Sequence, residues 1–302
     1  MPASVRPPAP PENVLTDVPE PGAPELVAAI QSAAAPPPLA AVASAVVPTT
    51  EPAVAAAVEE VAAHVAGPIP QVAARAPALR SDPKLREQNL VLPPGAGGAH
   101  GGPYKMLRTQ VLRRLDKLGA NSLAVVGTAA GAGKTLTAIN LAIAIAADPD
   151  RTALLVDLDL RNPSVHRRLG LEARAGIEAV LRQEQPLEAA IVRLEGYERL
   201  AVLPAGERCQ DSSELLAARR TQTLIATMRQ RYTDRVLIFD LPPVLQADDA
   251  LSFANCVQAG LVVVGERRTQ REDLSRTLEL LADLPIIGSV LNATREAVDS
   301  YY

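Results

Sequence analysis

Tryptophan is absent from this chain of 302 residues, and Tyr 5 and Phe 2 are all its aromatic side chains. Their scarcity makes their placement informative. The first is Tyr104, so a packed core is expected to begin near residue 100. Cysteine is as scarce: Cys209 and Cys256 have no second cysteine or histidine at ligand spacing. Two thiols cannot make the disulfide framework of a small secreted domain, and a reduced, cytoplasmic setting is expected. A basic surplus is missing as well. Lys+Arg 30 against Asp+Glu 34 gives a net charge of -4, and the first 80 residues, with seven acidic and three basic side chains, account for it. Neither part of the chain has the electrostatic footprint of a nucleic-acid binder. Long apolar runs are lacking too. The stretch from Leu39 to Thr50 is short and carries Pro48, well below the roughly 20 residues that span a bilayer. The first residues lack the basic start and apolar core of a signal peptide. Any role at a membrane is therefore expected to run through a partner.

Most of the 27 prolines precede residue 101. Residues 1–80, rich in Ala, Pro and Val, have too little bulky apolar surface to offset the entropy of ordering and are expected to be a disordered tail. Alanine-rich pieces at 25–35 and 53–66 are expected to visit helix between prolines. Residues 81–103 read as a linker ending in the flexible joint PPGAGGAHGGP at 93–103, and His64 and His100 are assigned no role. Residues 104–302 make one domain. Tyr104 to Leu118 has the apolar spacing of one helical face. Apolar strand candidates follow at Ser122–Gly127, Thr152–Asp157, Leu200–Leu203, Arg235–Asp240, Gly260–Val264 and Ile286–Asn292, with helices near 134–147, 213–231, 247–257 and 270–284. Continuous apolar strands separated by helices predict an α/β fold, doubly wound around a mostly parallel sheet.

The strongest chemical signal is the end of the first strand. LAVVG runs into TAAGAGKT and then an alanine-rich helix, the order of a phosphate-binding loop. Backbone N–H groups over Gly131, Ala132, Gly133 and Leu136, with the helix N-terminus, are expected to surround phosphates. Lys134 supplies a point charge and Thr135 a hydroxyl for Mg²⁺. In the strict pattern the first glycine would stand at Thr128; Gly127 is one position early. A second strand ends in Asp157 and Asp159, followed by Arg161. Carboxylates at i and i+2 share a side of a strand, where they can hold Mg²⁺ or orient a nucleophile, although a simple strand exit or helix cap uses the same residues. A third strand ends in Asp240 before Pro242 and Pro243, which reads as a carboxylate holding Mg²⁺ through water.

GTAAGAGKTLTAINLA, ALLVDLDLRNPSVHRRLGL, SELL at 213–216, VLIFDLPPVLQADDAL and IIGSVLNA occur in this order. Together they resemble the bacterial tyrosine kinases of capsular and exopolysaccharide assembly. These are cytoplasmic members of a larger P-loop group that includes chromosome-partitioning and division-site ATPases. The resemblance implies ATP and Mg²⁺ as cofactors. It implies catalytic roles for Lys134, Asp157, Asp159 and Asp240, with one of the first two aspartates assisting deprotonation of the attacking hydroxyl. It also implies a metal set of Thr135, Asp159 and Asp240, and adenine recognition at Asn292, with a satisfied turn asparagine as the alternative. Arg161 is expected at a phosphate or a partner surface, or as an exposed side chain. A membrane polysaccharide co-polymerase is the implied partner, with location at the inner face of the membrane.

One absence separates the chain from the partitioning branch, and two features depart from the tyrosine-kinase pattern. A partitioning ATPase would carry a second lysine where Ala129 stands. The Glu-x-x-Arg-x-x-Arg motif used in ring assembly reads Gly102, Lys105 and Arg108, which leaves a homo-oligomer open. The usual tyrosine cluster is reduced to Tyr301 and Tyr302, the expected phosphoacceptors. The resemblance thus implies a tyrosine autokinase; the alternative is a nucleotide-dependent switch that hydrolyses ATP without tyrosine transfer.

Overall fold

The computed structural model describes residues 76–95, 98–172 and 174–294. The expected tail up to residue 75 and the phosphoacceptors Tyr301 and Tyr302 lie outside the described residues. Eight strands form one sheet: β1 (Ala78–Leu79), β2 (Ser122–Gly127), β3 (Thr152–Asp157), β4 (Val192–Leu194), β5 (Leu200–Leu203), β6 (Arg235–Asp240), β7 (Ala259–Gly265) and β8 (Ile286–Asn292). Their spatial order is β1-β4-β5-β3-β6-β2-β7-β8, and the β4–β5 pair alone is antiparallel. Ten helices accompany them among the described residues: α1 (Pro83–Gln88), α2 (Gly98–Leu118), α3 (Lys134–Ala146), α4 (Val165–Arg168), α5 (Ile177–Leu181), α6 (Leu187–Ala190), α7 (Ser212–Ala217), α8 (Arg219–Arg231), α9 (Asp249–Ala254) and α10 (Arg271–Leu280).

The central strands are apolar throughout because both faces are covered. In β3, Leu154 and Val156 enter one core with Leu237 and Phe239, while Ala153 and Leu155 enter the other with Ile139 and Ile238. Each fully buried Leu or Val contributes roughly 1.5–3 kcal/mol of transfer free energy, so neither face can be left to solvent. Since β2, β3, β6, β7 and β8 run in parallel, their carboxyl ends share one edge of the sheet. Across β3 and β6 the register sets Asp157 directly beside Asp240.

Residues 76–103, expected to be the end of the tail and a linker, contain more than a connection. Asp82 caps α1, accepting from the Lys84 N–H at 2.9 Å. β1 pairs with β4, and Val91 and Leu92 are buried. The Asn140 side chain accepts from the Leu92 N–H at 2.9 Å and donates to the Leu90 carbonyl at 3.0 Å, while the Tyr197 hydroxyl donates to the Leu92 carbonyl at 2.8 Å. Helix α2 also starts earlier than expected, so the glycine-rich joint supplies its first turns and Pro103 lies inside it. A proline early in a helix removes few ladder bonds, and composition alone could not exclude this start. The expected helix at 213–231 is two helices, broken where Ala218 adopts ψ 139. The Thr221 hydroxyl bridges the break by donating to the Leu215 carbonyl.

Candidate nucleotide site

The loop from β2 to α3 is shaped by left-handed glycines, with φ of 81 at Gly131 and 94 at Gly133. L side chains rarely adopt such backbone angles. Its carbonyls are held from outside: Arg268 Nη1 donates to the Gly131 oxygen at 3.1 Å, and Asn292 Nδ2 to the Ala132 oxygen at 3.0 Å. With two carbonyls tied back, successive amides are left to build an anion-binding concavity at the start of α3. The displaced glycine also has a steric reason. A Cβ at Gly127 would stand 2.9 Å from Lys134 Cδ and 3.1 Å from the Val263 carbonyl, so the lysine stem and β7 both need its bare backbone.

Lys134 is buried, and burial pulls its pKa down while Asp240 and then Asp159 draw it back up. Asp240 is fully buried, and apart from the neighbouring Thr135 hydroxyl its carboxylate oxygens meet no donor. Burial and then neighbouring Asp157 push its pKa up to about 8, against the pull of the Thr135 hydroxyl and Lys134. Unsatisfied carboxylate oxygens next to a hydroxyl are hard donors of the kind Mg²⁺ takes, so the residues fit that ion. Among the described residues no group of three or more His, Cys, Asp or Glu side chains encloses a metal by itself. That agrees with Mg²⁺, which is ordinarily held by few carboxylates together with phosphate oxygens and water.

The two aspartates after β3 are held differently. Asp157 is committed to backbone: Oδ2 accepts from Ser164 and Val165 N–H at 3.1 and 3.0 Å, and Oδ1 from the Asp159 N–H at 3.2 Å. It fixes the turn from β3 into α4, while burial raises its pKa to about 7. Asp159 is half-buried and accepts one backbone bond, from Asn162 at 3.0 Å. Burial again raises its pKa. The Ser164 hydroxyl reaches Thr135 Oγ1 at 3.3 Å, tying the aspartate turn to the loop.

Lys134, Thr135, Asp157, Asp159 and Asp240 thus converge on one edge of the sheet. Asn292 reaches the same loop, and its amide holds the backbone there. With Leu136, Tyr104, Asn140 and Tyr197 it lines a cavity of about 710 Å³ beside the loop. Arg161 is held in an ion pair. Its Nε and Nη2 fork onto the buried Asp249 at 3.1 and 3.0 Å, and Ser212 Oγ donates to the same carboxylate at 2.6 Å. Asp249, Ser212 and Arg268 were not singled out from sequence. The only signal for Asp249 was the doubled aspartate of QADDAL, which equally reads as a helix start. Of the assembly motif, Arg108 donates to the Ala144 carbonyl at 3.2 Å within its own chain.

The family model ParA, described as the NUBPL iron-transfer P-loop NTPase, matches residues 120–298. The chain belongs to the ParA family. Curated relatives are named tyrosine-protein kinases, in line with the resemblance read from the motifs. YwqD of Bacillus subtilis (strain 168) is 29% identical over 66% of this chain and 83% of its own length. Ptk of Acinetobacter johnsonii is 29% identical over 65% of this chain, which spans only 27% of that protein. Among solved structures, the chimerical protein CapA2B2 superposes with a TM-score of 0.64 at 24% identity, over 79% of this chain and 99% of its own. The kinase domain of the Escherichia coli tyrosine kinase ETK gives 0.59 at 25% identity, over 66% and 77%. As a ParA-family protein the chain has the P-loop fold expected from its sequence. No helix among the described residues is long and apolar enough to cross a membrane.

Proposed function

We propose that this ParA-family chain is an Mg-ATP-dependent protein-tyrosine kinase that phosphorylates itself and acts in exopolysaccharide or capsule assembly. The observation that carries the reading is the buried meeting of Lys134 with Asp240 and Asp159 at the mouth of a glycine loop. The relatives' names support it. In this reading the loop amides from Gly131 to Leu136 and Lys134 hold the β- and γ-phosphates, and Thr135, Asp240 and Asp159 hold the metal. Mg²⁺, when bound, offsets charge on the phosphates. Asp159 takes the proton from the tyrosine hydroxyl as that oxygen attacks the γ-phosphorus and ADP leaves; with one backbone bond, on Oδ1, its carboxylate keeps acceptor capacity for that proton. Asp157 positions that turn through three bonds from backbone N–H groups. Tyr301 and Tyr302 are the acceptors, reached within a homo-oligomer, and a membrane polysaccharide co-polymerase is the partner at the inner face of the membrane.

The test is incubation with Mg-ATP followed by mass spectrometry. Phosphate is expected on Tyr301 or Tyr302, and none after Asp159→Asn or Asp240→Asn. Hydrolysis of ATP with every tyrosine left unmodified would overturn transfer in favour of the switch.

A further inference from the structure

A second polar cavity lies at the amino-terminal edge of the sheet. A strand of six residues spans about 20 Å, which separates this cavity from the nucleotide site. It measures about 480 Å³ and is walled by the end of α2, the C-terminal half of α8 and the chain entering β2, β3, β6 and β7. Three arginines line it, Arg151, Arg229 and Arg235, against one carboxylate, Asp116.

Arg151 is satisfied, since its Nη2 donates to both Asp116 oxygens at 3.0 Å. The other two are not. Arg229 sends Nη1 to the Cys256 carbonyl at 3.3 Å, but its Nε is buried without a partner. Arg235 is only 9% exposed, and its Nε is likewise unpartnered. Its guanidinium lies over the Tyr232 ring at 5.7 Å, and no carboxylate among the described residues pairs with it. Burying a guanidinium costs several kcal/mol unless charge and hydrogen bonds are returned to it. Water entering the cavity can return the hydrogen bonds but not the charge.

We propose that this cavity binds a phosphate group, free or as a small monoester, through Arg229 and Arg235. A phosphate dianion balances two uncompensated guanidinium charges, and its oxygens match the arginine fork. Gln230 and Thr233 line the same space as neutral polar groups, while Leu112, Leu115 and Val236 offer apolar surface to an organic substituent.

The experiment is calorimetric titration of the full chain saturated with Mg-ADP, so that the glycine loop is already filled. Inorganic phosphate and glycerol 2-phosphate are the probes, and succinate is the control. Binding of at least one phosphate probe is expected, and the tighter of the two identifies the source. Arg235→Gln and Arg229→Gln should each weaken binding about tenfold or more with Mg-ADP affinity unchanged. Because Arg235 has no ion pair to lose, Arg235→Gln is expected to keep the wild-type melting temperature in the absence of phosphate. Titrations without heat for either probe, undiminished binding in both variants, or equal binding of succinate would each overturn the proposal.

Discussion

Asn292, the last residue of β8, donates its amide to the Ala132 carbonyl at 3.0 Å, and a Cβ on Gly133 would fall 1.8 Å from that same Nδ2 nitrogen. Two segments 160 residues apart therefore fit only while position 133 has no side chain. Gly133→Ala is expected to weaken nucleotide binding more than about tenfold, because backbone strain of about 1–2 kcal/mol adds to the clash. Asn292→Ala in the same chain should restore part of the loss, since the clash disappears and the strain stays. A double variant no better than Gly133→Ala alone, measured by calorimetry with ADP, would show that the contact is not what limits the loop.

Lys134→Ala should lower affinity for Mg-ATP by about tenfold to a hundredfold, the range for a lost charged hydrogen bond. Equal affinity of variant and parent would remove the lysine from the phosphate site.

Removing Arg161 leaves Asp249 fully buried, with the Ser212 hydroxyl as its remaining close donor. Arg161→Ala is expected to cost about 1–3 kcal/mol in urea unfolding, a range that allows for the partly exposed guanidinium. Asp249→Asn, which leaves no buried charge behind, should cost less. The opposite ranking would contradict the network.

Asp157 and Asp240 sit side by side across β3 and β6 with pKa values raised to about 7 and about 8. Below those values the folded state keeps protons that the unfolded chain has released, so stability falls as pH rises from the ordinary carboxylate range toward about 8. With a chelator present, the melting temperature should decline over that window. Asp240→Asn should flatten the decline. A parent protein that instead gains stability from pH 5 to 8 would reverse the assigned direction.

Deleting residues 1–75 and deleting residues 1–95 should have different consequences. The longer deletion removes β1, buried Val91 and Leu92, and the bonds to Asn140 and Tyr197. It is expected to destabilise the domain by about 2–5 kcal/mol relative to the shorter one. Equal unfolding midpoints would mean that residues 76–95 only lie against the domain.

Sequence alone determined the elements whose signal is local. Five strands, at 122–127, 152–157, 200–203, 235–240 and 286–292, have the expected bounds: in the first four an apolar run buried on both faces is visible without knowing its neighbours, and the edge strand at 286–292 is marked by its apolar, β-branched run alone. The glycine loop and the aspartates at strand ends were legible for a similar reason, since their spacing along the chain is itself the geometry that the chemistry uses. Tertiary structure decided what depends on contact. β1 and β4 are too short to show a period and exist through pairing with each other and with β5. Gly133 needs to be glycine because of Asn292, and Arg161 is engaged within the chain because Asp249 lies buried within its reach. Asp157 and Asp159 look equivalent in the chain, yet backbone N–H groups donate to both oxygens of the first and make only one bond to the second. Which carboxylate stays available is settled by the path of the turn into α4, and no residue pattern in the sequence encodes that path.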